Sequence, residues 1–162
     1  MIVVSFGTIP YPFNRALTWV KTLIEKGTIA EPVFIQYGVS DISTLLECPL
    51  VTADAILDSK ELIRLIDRAR LVISHAGQGS TQMLASRGCS FILLPRLKSY
   101  GEHVDDHQLS FAQAVEAFGV RHCLSLEQLE QAVLNPPSRF RQTLFTEPSL
   151  SQHLLETYGG QS

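Results

Sequence analysis

Two short segments hold residues whose types and spacing could do chemistry. The first is S-H-A-G-Q-G-S, Ser74 to Ser80, at the junction of a β-branched apolar run and a helix. Gly77 and Gly79 let backbone N–H groups approach a ligand, and the start of the following helix carries partial positive charge. Together they suit a phosphate or diphosphate, with His75 as a further donor. Close packing of strand on helix uses the same glycines, so spacing alone leaves both readings open. The terminal G-K-[ST] of a P-loop and the third glycine of G-x-G-x-x-G are both missing. The second segment is Y-G-E-H-V-D-D-H-Q, Tyr100 to Gln108, a polar loop that runs into a helix. Its Glu102, Asp105, Asp106, His107 and Gln108 could read sugar hydroxyls. His103 and His107 also stand four apart, with Asp105 between them, in reach of one metal ion. Val104 occupies the place where a zincin-type helix carries its glutamate. A polar helix entrance capped by aspartates is the third reading.

The elements around these segments set where they stand. Met1–Phe6 is an apolar run ended by Gly7, the pattern of a strand buried on both faces. Asn14 is placed to cap a helix that shows Leu17, Val20, Leu23 and Ile24 on one side and stops at Lys26-Gly27. Pro32–Tyr37 reads as a second strand, and Leu50–Thr52 as a weak strand or none. Asp58 or Ser59 can cap a helix through Ile66. Leu71–Ser74 is a strand, Ser80–Arg87 a helix, Phe91–Leu94 a strand stopped by Pro95, and Asp105–Phe118 a long helix. Arg121–Leu124 fits a last strand, and Ser125 with Gln128 forms a capping box for the next helix, ended at Asn135-Pro136-Pro137. Ser149–Tyr158 reads as a terminal helix. Strands alternating with helices predict a doubly wound, Rossmann-like α/β domain with a parallel sheet, residues 1–162 forming one unit and 125–162 its C-terminal helices. Such sheets bind ligands beyond the carboxyl ends of their strands. Gly7–Pro12, His75–Ser80 and Pro95–Gln108 all leave such ends.

Composition narrows the function classes. The 162 residues carry 13 Lys and Arg against 16 Asp and Glu, a net charge of −3, with no basic run to serve as a nucleic-acid footprint. Cys48, Cys89 and Cys123 are odd in number with no CxxC spacing, which argues against a structural zinc site and a disulfide framework, and Cys89 and Cys123 fall beside or within expected buried strands, which argues against a catalytic thiol. No G-x-S-x-G elbow surrounds Ser80. No apolar run approaches the ~20 residues of a membrane span, and the N-terminus lacks the features of a signal peptide, so a cytoplasmic protein is expected.

Taken in order, I-V-V-S-F-G-T, Q-Y-G, A-R-L-V-I-S-H-A-G-Q-G-S and G-E-H-V-D-D-H-Q make the chain resemble the C-terminal, donor-binding domain of family 28 glycosyltransferases of the GT-B type. The likeness is greatest to stand-alone subunits of two-chain enzymes, such as the split N-acetylglucosaminyltransferase and its bacterial polysaccharide-assembly counterparts. The resemblance implies inverting transfer from a UDP-sugar, as substrate and without a cofactor or structural metal, to a lipid-linked acceptor. By position it places Gly7 and Thr8 near the phosphates, and His75, Gly77, Gly79 and Ser80 on the diphosphate. His107 and Gln108 would meet the sugar, with Asp105 and Asp106 nearby, and Ala55–Leu57 the uracil. It also implies a membrane-associated, acceptor-binding partner subunit that supplies the general base. Tyr11, Phe13 and Leu150 are candidates for the docking surface, and the chain would sit at the inner membrane face through that partner. One departure stands out. The family's ribose-binding Glu, three residues after Ser80, is Met83 here, and a thioether is a poor hydroxyl acceptor. That substitution supports the alternative of a non-catalytic accessory subunit. A metal-assisted hydrolase built on His103, Asp105 and His107 is the remaining alternative.

Overall fold

The computed structural model describes residues 1–142. The elements run β1 (Ile2–Ser5), α1 (Asn14–Glu25), β2 (Val33–Gln36), β3 (Val51–Asp54), α2 (Ser59–Arg68), β4 (Leu71–His75), α3 (Gln78–Ser86), β5 (Phe91–Leu94), α4 (His107–Glu116), β6 (Arg121–His122) and α5 (Leu126–Leu134). Six strands form one sheet in the order β3-β2-β1-β4-β5-β6, and every pairing is parallel. The chain order reverses direction between β1 and β4, which pair Ser5 with Ser74. This is the switch point at which such sheets open a crevice.

The alternation of side chains along the strands splits the interior in two. Ile2, Val4, Ile35 and Ile73 face Leu17, Val20 and Leu23 of α1 and Leu129 and Val133 of α5. Val3, Val72 and Leu93 face Ile66 of α2, Leu84 of α3 and Phe111 and Val115 of α4. The sheet is therefore covered on both sides, as the uninterrupted apolar strands require. Burying each Leu, Ile or Phe there stabilises the fold by ~1.5–3 kcal/mol.

Local chemistry sets the element ends. Asp58 caps α2, its carboxylate accepting from Lys60 N. Ser125 Oγ accepts from Gln128 N, but Gln128 Oε1 reaches back to Leu124 N, one residue before the usual box partner. Asn14 does not cap α1. Phe13 stands at the cap, and Asn14 Oδ1 instead accepts from Asp41 N, tying the loop after β2 to α1. The strand weighed at Leu50–Thr52 is real and runs Val51–Asp54, at the sheet edge where one side lies open, which is why its apolar signal is faint. The long helix expected from Asp105 starts only at His107: the Asp105 carboxylate accepts from His107 N, and that of Asp106 reaches back to Lys98 N in the loop. Phe13, expected at a docking surface, is fully buried with its ring 5.0 Å from that of Phe6. Leu150 and the Ser149–Tyr158 helix lie outside the described residues.

Candidate functional site

Adjacency of β1 and β4 brings Gly7 beside His75. A cavity of about 310 Å³ opens at this end of the sheet, lined by Gly7, Thr8 and Ile9 from the first loop and by His75, Gly77, Gln78, Gly79 and Ser80 from the second. Ser5, Gln36, Leu57, Ser59 and Leu62 complete its wall. Leu57 is thus at the cavity, whereas its neighbour Ile56 is 67% exposed. Gly77 forms the N-cap of α3, and Thr81 N is the first amide of that helix to reach back, donating to Gly77 O. The preceding amides, Gln78 to Ser80, start the helix without carbonyl partners of their own and carry the positive end of its dipole.

His75 is only 4% exposed, and its surroundings fix both its charge and its tautomer. Gln108 Oε1 accepts from Ala76 N and Arg96 N at 3.2 and 3.1 Å. The amide's orientation follows, so Gln108 Nε2 donates to His75 Nδ1 at 3.1 Å. A ring nitrogen that accepts is unprotonated, which puts the hydrogen of the neutral ring on Nε2. That N–H donates to Ser80 Oγ at 3.2 Å, on the cavity side. Burial, first of all, and then the Arg96 charge and His103 push the imidazole down to about 3, against the Gln108 bond. The ring is therefore a fixed neutral donor at any pH near neutrality.

The glycines around it have a job that their spacing did not show. A Cβ on Gly7 would lie 2.5 Å from His75 Nε2, and one on Gly77 2.4 Å from His75 Cε1. Gly7 also has φ +71°, a region that L side chains rarely adopt. These two glycines make room for the imidazole itself. At Gly79 a Cβ would meet nothing, which leaves that stretch of backbone open to the cavity.

The second segment is arranged differently. Glu102, expected among the ligand-binding residues, is 2% exposed and its carboxylate is occupied. It accepts from Arg15 Nε and Nη2 and from Leu97 N, all at 2.9 Å. Gln108 is fully buried with both ends of its amide engaged, so it positions His75 from beneath and does not present itself to a sugar. Asp106 is exposed and accepts from Lys98 N. Asp105 accepts from His107 through both its backbone N and Nδ1, and these bonds hold its carboxyl below the usual range. His103 lies 3.4 Å from the same Asp105 oxygen, with its ring edge-on to His107 at 4.4 Å and stacked on Tyr11 at 5.9 Å. Burial pushes His103 down, so it too is held neutral. None of the residues from 100 to 108 lines the His75 cavity.

Arg96 was not distinguished in the sequence, yet it joins the two segments. Its guanidinium is 1% exposed and donates to Phe6 O, Tyr11 O and Glu102 O at 2.8, 2.7 and 3.2 Å. Burial lowers it to about 10, with Glu102 opposing the shift, so it keeps its charge at neutral pH. Nothing in a lone arginine after Pro95 marks it as buried. Only the fold reveals it. Met83 is partly buried against the second half of the core. Among the described residues the cavity lining contains no carboxylate. Cys89 and Cys123 are buried and their thiols pushed up, Cys123 to about 11, which removes both as nucleophiles.

Comparison with known proteins follows the same lines. MurG of Acinetobacter baumannii superposes with a TM-score of 0.65 at 14% identity, over 96% of this chain and 48% of MurG. The solution structure of ALG13 gives 0.62 at 20% identity, over 96% of this chain and 95% of ALG13. The glycotransferase of kitacinnamycin gives 0.59 at 17% identity, over 95% of this chain and 37% of that enzyme. The chain thus spans under half of two of these proteins, as the C-terminal half of a GT-B glycosyltransferase does, and nearly the whole of ALG13. No curated protein sequence matches it. The family model for the glycosyltransferase family 28 C-terminal domain matches residues 1–151, and the chain belongs to that family.

Proposed function

We propose that this chain is the donor-binding half of a two-chain inverting glycosyltransferase that takes its sugar from a UDP-sugar and passes it to a lipid-linked acceptor. The observation that carries the reading is the neutral His75, its Nε2–H facing the cavity beside the free amides of α3. The diphosphate would lie on those amides, with Gly7 and Thr8 on its other side. As the bond to the sugar breaks, negative charge grows on the departing diphosphate, and fixed donors stabilise it without having to reorganise. Leu57 and Leu62 offer an apolar wall for the base. The proton of the acceptor hydroxyl must go to a base on a partner subunit, which would be membrane-associated and hold the acceptor. This chain would then work at the cytoplasmic membrane face only through that partner.

A second reading has one observation in its favour. The family's ribose carboxylate is Met83, packed toward the core, and among the described residues the cavity lining offers no acid in its place. Losing a hydrogen bond to a charged group weakens binding by ~1.5–3 kcal/mol, which favours an accessory subunit that stabilises a paired transferase. Calorimetric titration with UDP, UDP-N-acetylglucosamine, UDP-glucuronic acid and UDP-glucose separates the two readings. Saturable binding of one of them, lost in His75→Ala, supports the donor subunit and names the sugar. Silence toward all four, with the partner chain present, leaves the accessory subunit standing.

A further inference from the structure

The resemblance would bring His107 to the sugar with Asp105 nearby, but the His75 cavity wall includes neither of them nor His103, and the three stand together where the loop after β5 enters α4. We propose that these three side chains form a binding site for one divalent transition-metal ion of the zinc class. One ligand atom from each of His103, Asp105 and His107 lies within 4.8 Å of the other two. Two ligands on one tetrahedral zinc, each at ~2.0–2.1 Å, stand about 3.3 Å apart. The separation of His103 Nδ1 from Asp105 Oδ1 is 3.4 Å.

The independent sign is an orphan. His103 is nine-tenths buried, its side chain 10% exposed, and its Nδ1 has no hydrogen-bond partner despite the nearby carboxylate. A buried ring nitrogen left unpaired is unfavourable, and an electron-pair acceptor at the centre of the cluster would satisfy it. His107, by contrast, is already bonded to Asp105 through the nitrogen that would ligate. Binding replaces that hydrogen bond. The Nδ1 hydrogen moves to Nε2, and the carboxylate swings from the ring nitrogen onto the metal.

The donor set selects the ion. Two imidazoles and one carboxylate suit zinc, cobalt or nickel and disfavour magnesium and calcium, which take oxygen ligands. The spacing is one that a loop entering a helix makes easily, with His107 in the first turn of α4 and His103 just ahead of it. Three protein ligands leave a position for water, and Asp105, 49% exposed, lies on the solvent side. Stacking of Tyr11 on His103 would couple the ion to the loop after β1, which carries Thr8 and Ile9 of the cavity wall.

The test uses the untagged full chain, stripped of metal and titrated with Co²⁺ by visible absorption and with Zn²⁺ by calorimetry. The expected result is one ion per chain, with the intense visible bands of low-coordinate cobalt and a raised melting temperature. His107→Ala and His103→Phe should each weaken Co²⁺ binding by more than about 100-fold, beyond what loss of an outer-shell partner does. His103→Phe retains a ring to stack on Tyr11, so its loss of binding is not a loss of fold. Absence of saturable binding overturns the site. So does Co²⁺ binding that persists undiminished in either variant, since the ion then sits elsewhere. Neither outcome depends on the chain binding a UDP-sugar.

Discussion

The two polar loops at the carboxyl end of the sheet look equally ready for a ligand, yet they are built on opposite principles. The His75 turn holds one buried, neutral imidazole between two glycines and leaves its amides and its N–H facing a cavity. The Arg96–Gln108 loop is richer in charge, but most of that charge is used inside the protein. Glu102 is closed on Arg15 and Leu97 N, Asp106 on Lys98 N, and Arg96 on three carbonyl oxygens. Polar density therefore marks neither ligand contact nor its absence. What separates the loops is that the His75 turn leaves backbone amides facing a cavity, whereas Glu102, Asp106 and Arg96 are bonded within the protein.

Cutting the second loop's network should produce the largest effect on stability. Glu102→Ala takes the ionic partner from the Arg15 guanidinium, which keeps its bond to Pro95 O, and the acceptor from the Leu97 amide, in a site that is largely shut off from water, and a broken buried pair costs ~3–5 kcal/mol. The loss should appear as a lower urea midpoint at unchanged m, and Glu102→Gln should recover part of it. If Glu102→Ala instead spares stability and removes UDP-sugar binding, the contrast between the loops is mistaken.

Next comes Gly77→Ala. The imidazole cannot swing aside cheaply, since Ser80 and Gln108 hold both its nitrogens. Nucleotide affinity should fall by at least about tenfold, or ~1.4 kcal/mol. Gln108→Leu is expected to act through the same ring. It leaves the amides of Ala76 and Arg96 unpaired, at ~1–3 kcal/mol each in stability, and frees the tautomer, so nucleotide affinity drops although Gln108 is nowhere in the cavity lining.

The pH dependence has a definite sign. His75 has a folded-state value of about 3, below its ordinary value of 6.5, so its contribution to stability is complete above pH 6.5. It is lost as pH falls from there toward 3, because the unfolded chain takes up a proton that the folded one refuses. The slope in that window is on the order of 1 kcal/mol per pH unit, and His75→Phe should flatten it. UDP-sugar affinity should show no inflection from this ring near neutrality. Smallest of all, Arg87→Ala removes only the exposed pair with Asp67 and should leave the melting temperature unmoved.

Much of this architecture was legible in the residues. Apolar runs such as Phe91–Leu94 announce buried parallel strands, and Asp58 and Ser125 announce helix starts by a short-range rule. The glycine turn after β4 and the place of His75 at its start were legible too. What stayed hidden depends on contacts across long separations. Arg96 meets Phe6 and Tyr11, Glu102 meets Arg15, and Gln108 meets His75, each from more than thirty positions away. The exchange of roles between Glu102, read as a ligand contact, and Arg96, not remarked at all, follows from that. Phe13 misled for a related reason. An aromatic residue in a Pro-bounded loop looks exposed until Phe6 arrives beneath it from the adjoining strand.

With His75 neutral, the cavity wall holds no ionised side chain among the described residues. Its pull on an anion comes from bond dipoles, which fade within a few ångströms, and from the buried Arg96 charge behind His75, whereas the chain as a whole bears a charge of −3. An incoming diphosphate would meet a faintly repulsive field at long range and a welcoming one only on arrival. Added salt should therefore quicken the encounter slightly, the reverse of what a lysine- or arginine-lined phosphate site displays.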